Sequence, residues 1–359
     1  MIWDVVVVGA GAAGLFAAIR AAECGRRTLV LEKNARAGVK ILMSGGTRCN
    51  LTHATDAGGI ITAFGRQGRF LHSALAALDP DEVVQLFGRE GVATKVEPTG
   101  KVFPTSDRAA DVVNALLRRL ARSGAELSFG EPLLRMAAIG HGFDLTTARR
   151  QVEARAVILT SGGMSYPGCG TRGDGYAWAA ELGHQIVTPR PALTPVLTAA
   201  AWVKPLSGVT IPDVSVQVCE PAPEAGASPT ESKRRNAADS PAVLAVLATA
   251  RGSFLFTHFG LSGPAVLDVS RAVSGNSQPQ TLELRCDFWP GESADALGRW
   301  LDERCRNAGG RQIDSFLAER WPRRLLQTLA DLAGSSVAQR AAETPKRARQ
   351  RWTETIKCT

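Results

Sequence analysis

Residues 4–33 read DVVVVGAGAAGLFAAIRAAECGRRTLVLEK and carry the strongest structural signal in the chain. The four consecutive valines are typical of a strand that is buried on both faces of a parallel sheet. The alanine-rich residues 15–22 predict a helix, and the apolar run at 28–31 predicts a second strand. The stretch therefore predicts a βαβ unit with three glycines in its first turn.

The glycines follow the pattern G-x-G-x-x-G, and each position has a physical reason. Gly9 permits the tight turn, Gly11 lets a pyrophosphate approach the backbone, and Gly14 lets the helix pack closely on the strand. The start of the helix, at Ala12 and Ala13, offers free N–H groups to an anion. Glu32 ends the second strand, where a carboxylate accepts hydrogen bonds from a ribose and favours FAD or NAD over NADP. The alternative is a tightly packed βαβ unit without a ligand.

The composition indicates a protein with room for two domains. The chain has 359 residues, of which 45% are hydrophobic, and seven cysteines without a C-x-x-C pair. An odd number of unpaired cysteines favours reduced thiols and hence the cytoplasm. The uncharged stretch at 5–19 is short for a membrane span and follows no basic region, so we expect neither a membrane helix nor a signal peptide.

The net charge of +8 is concentrated in a few places. The last twenty residues hold six basic and two acidic side chains, and two further clusters are Arg118-Arg119-Arg122 and Lys233–Arg235. These clusters are either a solvated surface or a contact for an acidic partner such as RNA.

The remaining patterns predict an alternating α/β core and a second, strand-rich region. Helices are predicted at 39–43, 69–78, 81–90, 108–122 (with Asp107 as its N-cap), 174–182, 294–307 and 312–332. Strands are predicted at 94–96, 101–103, 125–129, 133–139, 143–147, 151–153, 156–160, 214–219, 253–257 and 282–287, with an exposed loop at 221–241.

The richest site signal after the first turn lies at 38–52. Gly45 and Gly46 expose backbone N–H groups, Lys40 and Arg48 add positive charge, and Ser44 and Asn50 offer directed hydrogen bonds. This combination suits a phosphate or the polar edge of an isoalloxazine ring. The alternative is a glycine-rich surface loop.

With these motifs the sequence resembles the BaiN/RdsA-type FAD-dependent oxidoreductases, a branch of the two-dinucleotide-binding-domain flavoproteins. The matching segments run in order through about nine-tenths of the chain, and Thr47 stands where the family usually has a third glycine. They are Gly9–Gly14, Lys40 with Ser44–Asn50, Gly100–Pro104, Ser165–Pro167 with Gly173–Tyr176 and Leu182–His184, and Phe256–Pro264.

The resemblance implies an α/β fold: a Rossmann-like FAD-binding domain with a parallel sheet, plus a β-rich mixed inserted substrate domain. We expect the first domain at 1–189, with a β-rich excursion at about 92–155, the inserted domain at 190–335, and a basic tail at 336–359. The family carries a C-terminal segment that closes over the flavin, and the sequence shows no match to it after Leu332.

The activity that the resemblance implies is transfer of hydride from NAD(P)H through FAD to an unsaturated acceptor. The acceptor is either a uracil base in ribosomal RNA, with RNA contact through the basic patches, or a small organic molecule. The alternative from another class is a truncated, non-catalytic nucleotide-binding chain.

The predicted site residues fall into two groups. Cys49 and His258 are candidate proton donors, and Cys49 is equally compatible with a small buried side chain. No grouping has metal-ligand spacing. The predicted cofactor-binding residues are Gly9, Gly11, Ala12, Ala13, Gly14, Glu32, Lys33, Lys40, Ser44, Gly45, Gly46, Arg48, Asn50, Gly162, Gly163 and Asp174.

Overall fold

The computed structural model describes residues 2–221 and 244–359, and this part of the chain forms two compact units. The units are Met1–Thr188 and Pro189–Thr359. The basic cluster at 233–235 and nearly all of the predicted loop at 221–241 lie outside the described residues.

The first unit alternates strands and helices. Its described strands are β1 (Trp3–Val8), β2 (Thr28–Glu32), β3 (Thr52–His53), β4 (Thr94–Val96), β5 (Lys101–Pro104), β6 (Glu126–Phe129), β7 (Leu133–Ile139), β8 (Gly142–Thr147) and β9 (Gln151–Leu159). Its described helices are α1 (Ala12–Glu23), α2 (Val39–Met43), α3 (Ala57–Ala63), α4 (His72–Ala77), α5 (Pro80–Arg89), α6 (Ala109–Ser123) and α7 (Asp174–Glu181).

The main sheet has the strand order β6-β2-β1-β9-β8-β7. The first four strands run parallel, whereas β8 and β7 are antiparallel additions at one edge. The chain leaves β1 toward β2 on one side and later returns to pair β9 on the other side. The strand order therefore reverses beside β1, and open sheets of this kind bind ligands at the carboxyl ends of such strands.

The valine run of β1 is buried on both faces of the sheet, as its sequence predicts. Val7 packs in one hydrophobic cluster with Leu15 of α1, while Val6 and Val8 pack in the cluster on the opposite face. All three are at most 5% exposed. The predicted Rossmann-like fold with a parallel sheet is confirmed.

Several local predictions in this unit are wrong. The helix predicted at 69–78 is divided between a 3-10 helix (Gly65–Leu71) and α4, and α3 was not predicted. The strands predicted at 151–153 and 156–160 are the single strand β9, because Ala154 pairs with Phe143 of β8 on one side and with Trp3 of β1 on the other. The strands β7 and β8 of the predicted β-rich excursion therefore extend the main sheet. Asp107 does not cap α6; its φ is +54°, and its carboxylate bonds Lys95 at 2.5 Å instead.

The second unit contains a five-stranded antiparallel sheet with the order β10-β13-β12-β11-β14. The strands are β10 (Val196–Leu197), β11 (Thr210–Pro221), β12 (Leu244–Phe256), β13 (Gly260–Ser262) and β14 (Glu283–Asp287), and the helices are α8 (Pro264–Gly275), α9 (Ala294–Arg306), α10 (Asp314–Leu317), α11 (Arg323–Leu332) and α12 (Lys346–Lys357). The strand-rich mixed character predicted for this region is confirmed.

Three helices of this unit differ from the prediction. Helix α8 was not predicted, although Pro264 begins it in a position that suits the first turn of a helix. The helix predicted at 312–332 is divided into α10, which ends at Leu317, and α11, which begins directly after Pro322; a proline has no N–H and does not fit the interior of a continuous helix. The segment 336–359, predicted as a basic tail, contains α12, whose Trp352 is 0% exposed in the core of this unit.

None of the described helices is long and apolar enough to cross a membrane.

Candidate functional site

The first unit has a cleft of about 1170 Å³ at the carboxyl ends of β1, β2 and β9. Twelve of the predicted site residues line this cleft. They are Gly9, Gly11, Ala12, Ala13, Glu32, Lys33, Lys40, Ser44, Cys49, Asn50, Gly162 and Asp174. Sequence positions up to 165 residues apart therefore meet at one cavity, which makes it the candidate functional site.

Two glycines of the first turn are required by the packing of the turn itself. Gly9 has φ +104°, and a Cβ there would lie 2.7 Å from the Thr160 carbonyl oxygen. A Cβ on Gly14 would lie 1.8 Å from the Gly9 carbonyl oxygen and 2.7 Å from the Thr160 hydroxyl. Gly14 thus allows α1 to approach β1 and β9 closely, and it does not line the cleft.

Gly11 has a different role. It is the N-cap of α1 with φ −78°, and a Cβ built on it meets no atom within 4 Å. The residue therefore leaves space on the side of the cleft, where the backbone of Ala12 and Ala13 also lies. No side chain caps α1, so its first-turn N–H groups are available to an anion. A pyrophosphate fits this arrangement sterically and electrostatically.

Glu32 fastens the glycine turn to the end of β2. It is 6% exposed, and its two carboxylate oxygens accept hydrogen bonds from the Ala10 N–H at 2.7 Å and the Asn34 N–H at 2.8 Å. Each carboxylate oxygen has a second lone pair, so the group can also accept a ribose hydroxyl in the cleft. The predicted contact with the ribose is compatible with this placement.

Two lysines connect the walls of the cleft. Lys33 donates to Asp174 at 2.7 Å, which joins the end of β2 to the first turn of α7. Lys40 donates to the Ser165 carbonyl at 2.8 Å and the Thr171 hydroxyl at 2.9 Å. Both ammonium groups lie beside the cavity; Asp174 offsets the charge of Lys33, whereas the charge of Lys40 meets only neutral oxygens among these partners.

The loop Ser44–Asn50 is held in a strained conformation. Gly45, Gly46, Thr47 and Cys49 all have φ between +56° and +70°. This region suits glycine, whereas a β-branched residue such as Thr47 pays a steric cost in it. The conformation turns the side chains of Ser44, Cys49 and Asn50 to the cleft, while Gly45 and Gly46 are not among its lining residues.

Arg48 is directed away from the cleft, so the predicted contact with a cofactor does not follow from its placement. Its guanidinium bonds Glu97 at 2.5 Å and lies 4.1 Å from the ring centre of Phe103. The hydrogen bond to Glu97 raises the pKa of Arg48 above its usual range. The hydrogen bond from Lys95 lowers the pKa of the neighbouring Asp107. This network braces the loop from outside.

Cys49 is the titratable thiol that sequence reasoning placed at the site. It is 6% exposed and lines the cleft, and its N–H donates to the Ser44 carbonyl at 3.0 Å. Burial raises the pKa of the thiol, and this effect outweighs the opposing hydrogen bond with Ser44. At neutral pH the group therefore carries its proton.

The other predicted residues lie elsewhere. His258 belongs to the second unit, where its exposed ring contacts Phe259 edge-on with centroids 4.8 Å apart. Gly163 follows Gly162 but does not line the cleft. Within the described residues, no three His, Cys, Asp or Glu side chains converge to form a metal site.

Two of the cleft residues that were not predicted hold the walls of the site together. Thr160 donates through its hydroxyl to the Val8 and Gly9 carbonyls at 2.9 and 3.0 Å, which ties the end of β9 to the glycine turn. Glu131 is 1% exposed and accepts from Arg150, Ser128 and Thr147. Burial opposes its ionisation, but these hydrogen bonds outweigh burial and lower its pKa. No local motif marks Glu131, because Thr147 and Arg150 reach it only through the fold of the chain around β7 and β8.

Much of the predicted basic surface is paired with acids. Arg119 bonds Glu23 at 2.8 Å, Arg122 bonds Glu90 at 2.7 Å, and Arg118 donates to the Glu90 carbonyl. In the segment 336–359, Arg349 bonds Asp302 at 2.5 Å and Lys357 bonds Asp287 at 2.6 Å. These pairs reduce the charge that either region offers to a nucleic acid.

The parallel sheet, the glycine turn and the cleft together define a Rossmann-type dinucleotide-binding protein. Residues 3–325 match the family described as the HI0933-like protein Rossmann domain. The chain belongs to this family. By class it is an FAD-dependent oxidoreductase, as the resemblance implies.

Curated relatives cover most of the chain. It is 29% identical over 342 residues to the ribosomal RNA dihydrouridine synthase of Escherichia coli, covering 92% of this chain and 74% of the relative. It is 28% identical to the 3-dehydro-bile acid delta(4,6)-reductase of Clostridium scindens, covering 91% and 74%. It is 26% identical to the ribosomal RNA dihydrouridine synthase of Haemophilus influenzae, covering 90% and 72%.

Proposed function

We propose that this protein reduces a carbon–carbon double bond with electrons from NAD(P)H through FAD, and that its acceptor is a uracil base in ribosomal RNA. The observation that supports the proposal most strongly is the cleft at the end of β1. Its volume of about 1170 Å³ exceeds the roughly 300–1,000 Å³ of ordinary small-molecule sites, which leaves room for an extended dinucleotide.

The residues present fit FAD at this place. The crowded Gly9, the open face of Gly11 and the uncapped α1 form a cradle for the pyrophosphate, and Glu32 lies at the end of β2 for the ribose. Lys40 adds positive charge beside the cavity, and Lys33 is held there by its ion pair with Asp174. When bound, FAD supplies the hydride transfer that amino-acid side chains cannot perform.

The chain itself supplies a proton and the shape of the site. Reduction of uracil adds a hydride to one carbon of the double bond and a proton to the other. Cys49 is a protonated thiol at the cleft, and its proton is available for the second carbon.

The cleft also favours a second candidate acceptor. One part of its wall is apolar and includes Phe16, Leu78, Val83, Phe87 and Leu116. Such a wall suits a small unsaturated organic molecule, which is the kind of substrate named for the Clostridium scindens relative. Two of the three relatives described above are named for ribosomal RNA, and this favours the RNA acceptor.

The test is an anaerobic turnover with FAD and either NADH or NADPH. The acceptors are unmodified ribosomal RNA and, separately, a bile-acid ketone with conjugated double bonds. We expect nuclease digests of the RNA to contain a uridine heavier by two hydrogen atoms. Reduction of the steroid alone would replace the RNA proposal with the second candidate, and reduction of neither acceptor would refute both.

A further inference from the structure

The first unit has an exposed segment that the proposed site does not use. Residues 64–72, here called the Phe64–His72 segment, read FGRQGRFLH and run from the end of α3 to the first residue of α4. Phe70 is 89% exposed and Phe64 is 56% exposed. Phe70 is the most exposed large hydrophobic side chain among the described residues, and with Phe64 it gives this segment two rings that can contact another molecule.

The surroundings of this segment explain why its rings stay exposed. Neither α3 nor α4 contains a buried residue, and the 3-10 helix between them (Gly65–Leu71) buries only Gly68. The short elements therefore contribute little to the core of the unit. Because this stretch buries so little apolar surface, it adds little to the free energy of unfolding, and its role is better explained by binding another molecule.

The charge of the segment is one-sided. Residues 57–78 contain no Asp or Glu, while Arg66 and Arg69 are both exposed. Among the described residues, neither arginine forms an ion pair, in contrast to the paired Arg119 and Arg122. Two free guanidinium groups within four positions attract an anionic partner.

The segment belongs to a stretch, residues 52–77, that begins and ends at the cleft. Leu51 precedes this stretch and Leu78 follows it, and both line the cavity. A molecule bound by the Phe64–His72 segment is therefore held by a part of the chain whose two ends lie at the wall of the cleft.

We infer that the Phe64–His72 segment binds unpaired nucleotides of an RNA substrate, an inference that rests on the proposed ribosomal RNA function. Every base has a π face that stacks on an aromatic side chain, and the free arginines match the backbone phosphates. A target base must leave its stack before it can be reduced, so its neighbours need a holding surface. The charge favours RNA over an apolar protein partner.

The experiment measures binding of a fluorescein-labelled single-stranded RNA by anisotropy at several salt concentrations. One double variant carries Phe64→Ala and Phe70→Ala, and a second carries Arg66→Gln and Arg69→Gln. Phe129→Ala is the control for loss of an exposed ring, because Phe129 lies on β6 and is 36% exposed. Arg20→Gln with Arg26→Gln removes the same charge elsewhere in the first unit.

We expect each phenylalanine to contribute about 5–150-fold to the dissociation constant, with an unchanged salt slope. The arginine variant should lower the log–log salt slope by up to about 1.4, which corresponds to two phosphate contacts on a single strand. Both controls should bind like the parent. Parental RNA affinity in the phenylalanine variant overturns the inference. It is also overturned if the parent is a dimer in solution and the phenylalanine variant is a monomer, because the rings would then form a contact between two copies.

Failure of the surface and failure of the function give different results. If the parent binds RNA through the segment but forms no dihydrouridine with FAD and NAD(P)H, the binding surface stands and the proposed reaction falls. If the parent forms dihydrouridine and the phenylalanine variant does so with the same KM for RNA, the reaction stands and the surface falls. Reduction of FAD by NAD(P)H should be equal in all variants.

Discussion

The roles of Gly11 and Gly14 can be separated by experiment, because the structure gives each a different reason to be glycine. A Cβ on Gly11 meets no atom within 4 Å, and its extended φ of −78° suits valine. The Gly11→Val protein should therefore fold, with a loss of at most about 1 kcal/mol for the changed N-cap. Its side chain would occupy the space that a pyrophosphate needs. Loss of a single charge-assisted hydrogen bond of about 1.5–3 kcal/mol weakens FAD binding roughly 10–150-fold.

Gly14→Ala is the matched comparison. Its Cβ would lie 1.8 Å from the Gly9 carbonyl oxygen, which no side-chain rotation can relieve. The clash costs about 3 kcal/mol, and the better helix propensity of alanine returns about 1, so stability should fall by about 2 kcal/mol. Urea unfolding and titration with FAD measure the two effects. Parental FAD affinity in Gly11→Val would refute the location of the pyrophosphate, and equal loss of stability in both variants would refute the separation of roles.

Three further predictions concern the rest of the cleft. Cys49→Ala should leave reduction of FAD by NAD(P)H intact and slow reoxidation of the flavin by the acceptor about 10²–10⁴-fold, whereas Cys169→Ala, at the same cleft, should reoxidise at the parental rate. In the parent, reoxidation by the acceptor should fail only above pH 9, because burial raises the pKa of the Cys49 thiol and only the protonated thiol donates. Glu131→Gln should lower the free energy of unfolding by about 1–3 kcal/mol at pH 7, whereas Glu126→Gln, at an exposed position, should show little effect in the same urea series. Because the pKa of Glu131 is lowered in the folded protein, the difference between parent and Glu131→Gln is present above pH 4.5 and disappears as the pH falls through the folded-state pKa. Thr47→Gly should raise stability by about 1 kcal/mol through relief of φ +70°, and an unchanged urea midpoint would show that the loop bears no strain.

The sequence could predict the βαβ unit because its signals are local. The valine run, the glycine spacing and Glu32 lie within one stretch, and each has a single structural reading when the others are present. The Ser44–Asn50 loop is also a local signal, because its resemblance to the family lies within one short motif, and three of its residues line the cleft. Hydrophobic periodicity and motif spacing predict which helices and strands form and where their ends meet.

The remaining features depend on partners that are distant in sequence. Arg48 is held by Glu97 and Phe103, which are about fifty positions away, so its motif could not show that it faces out of the cleft. The continuity of β9 depends on β1 and β8 pairing with it on both sides. Helix α12 has a strongly basic sequence, but burial of Trp352 by the other elements of its unit makes it part of a core.

The central claim is that the cleft at the glycine turn holds FAD. The most direct measurement is the visible absorption spectrum of the purified chain after incubation with FAD and removal of the unbound cofactor. We predict the bands of oxidised flavin at about equimolar occupancy, with a marked loss of colour in Gly11→Val and not in Cys49→Ala. A colourless folded protein that also shows no heat of binding on titration with FAD would contradict the account.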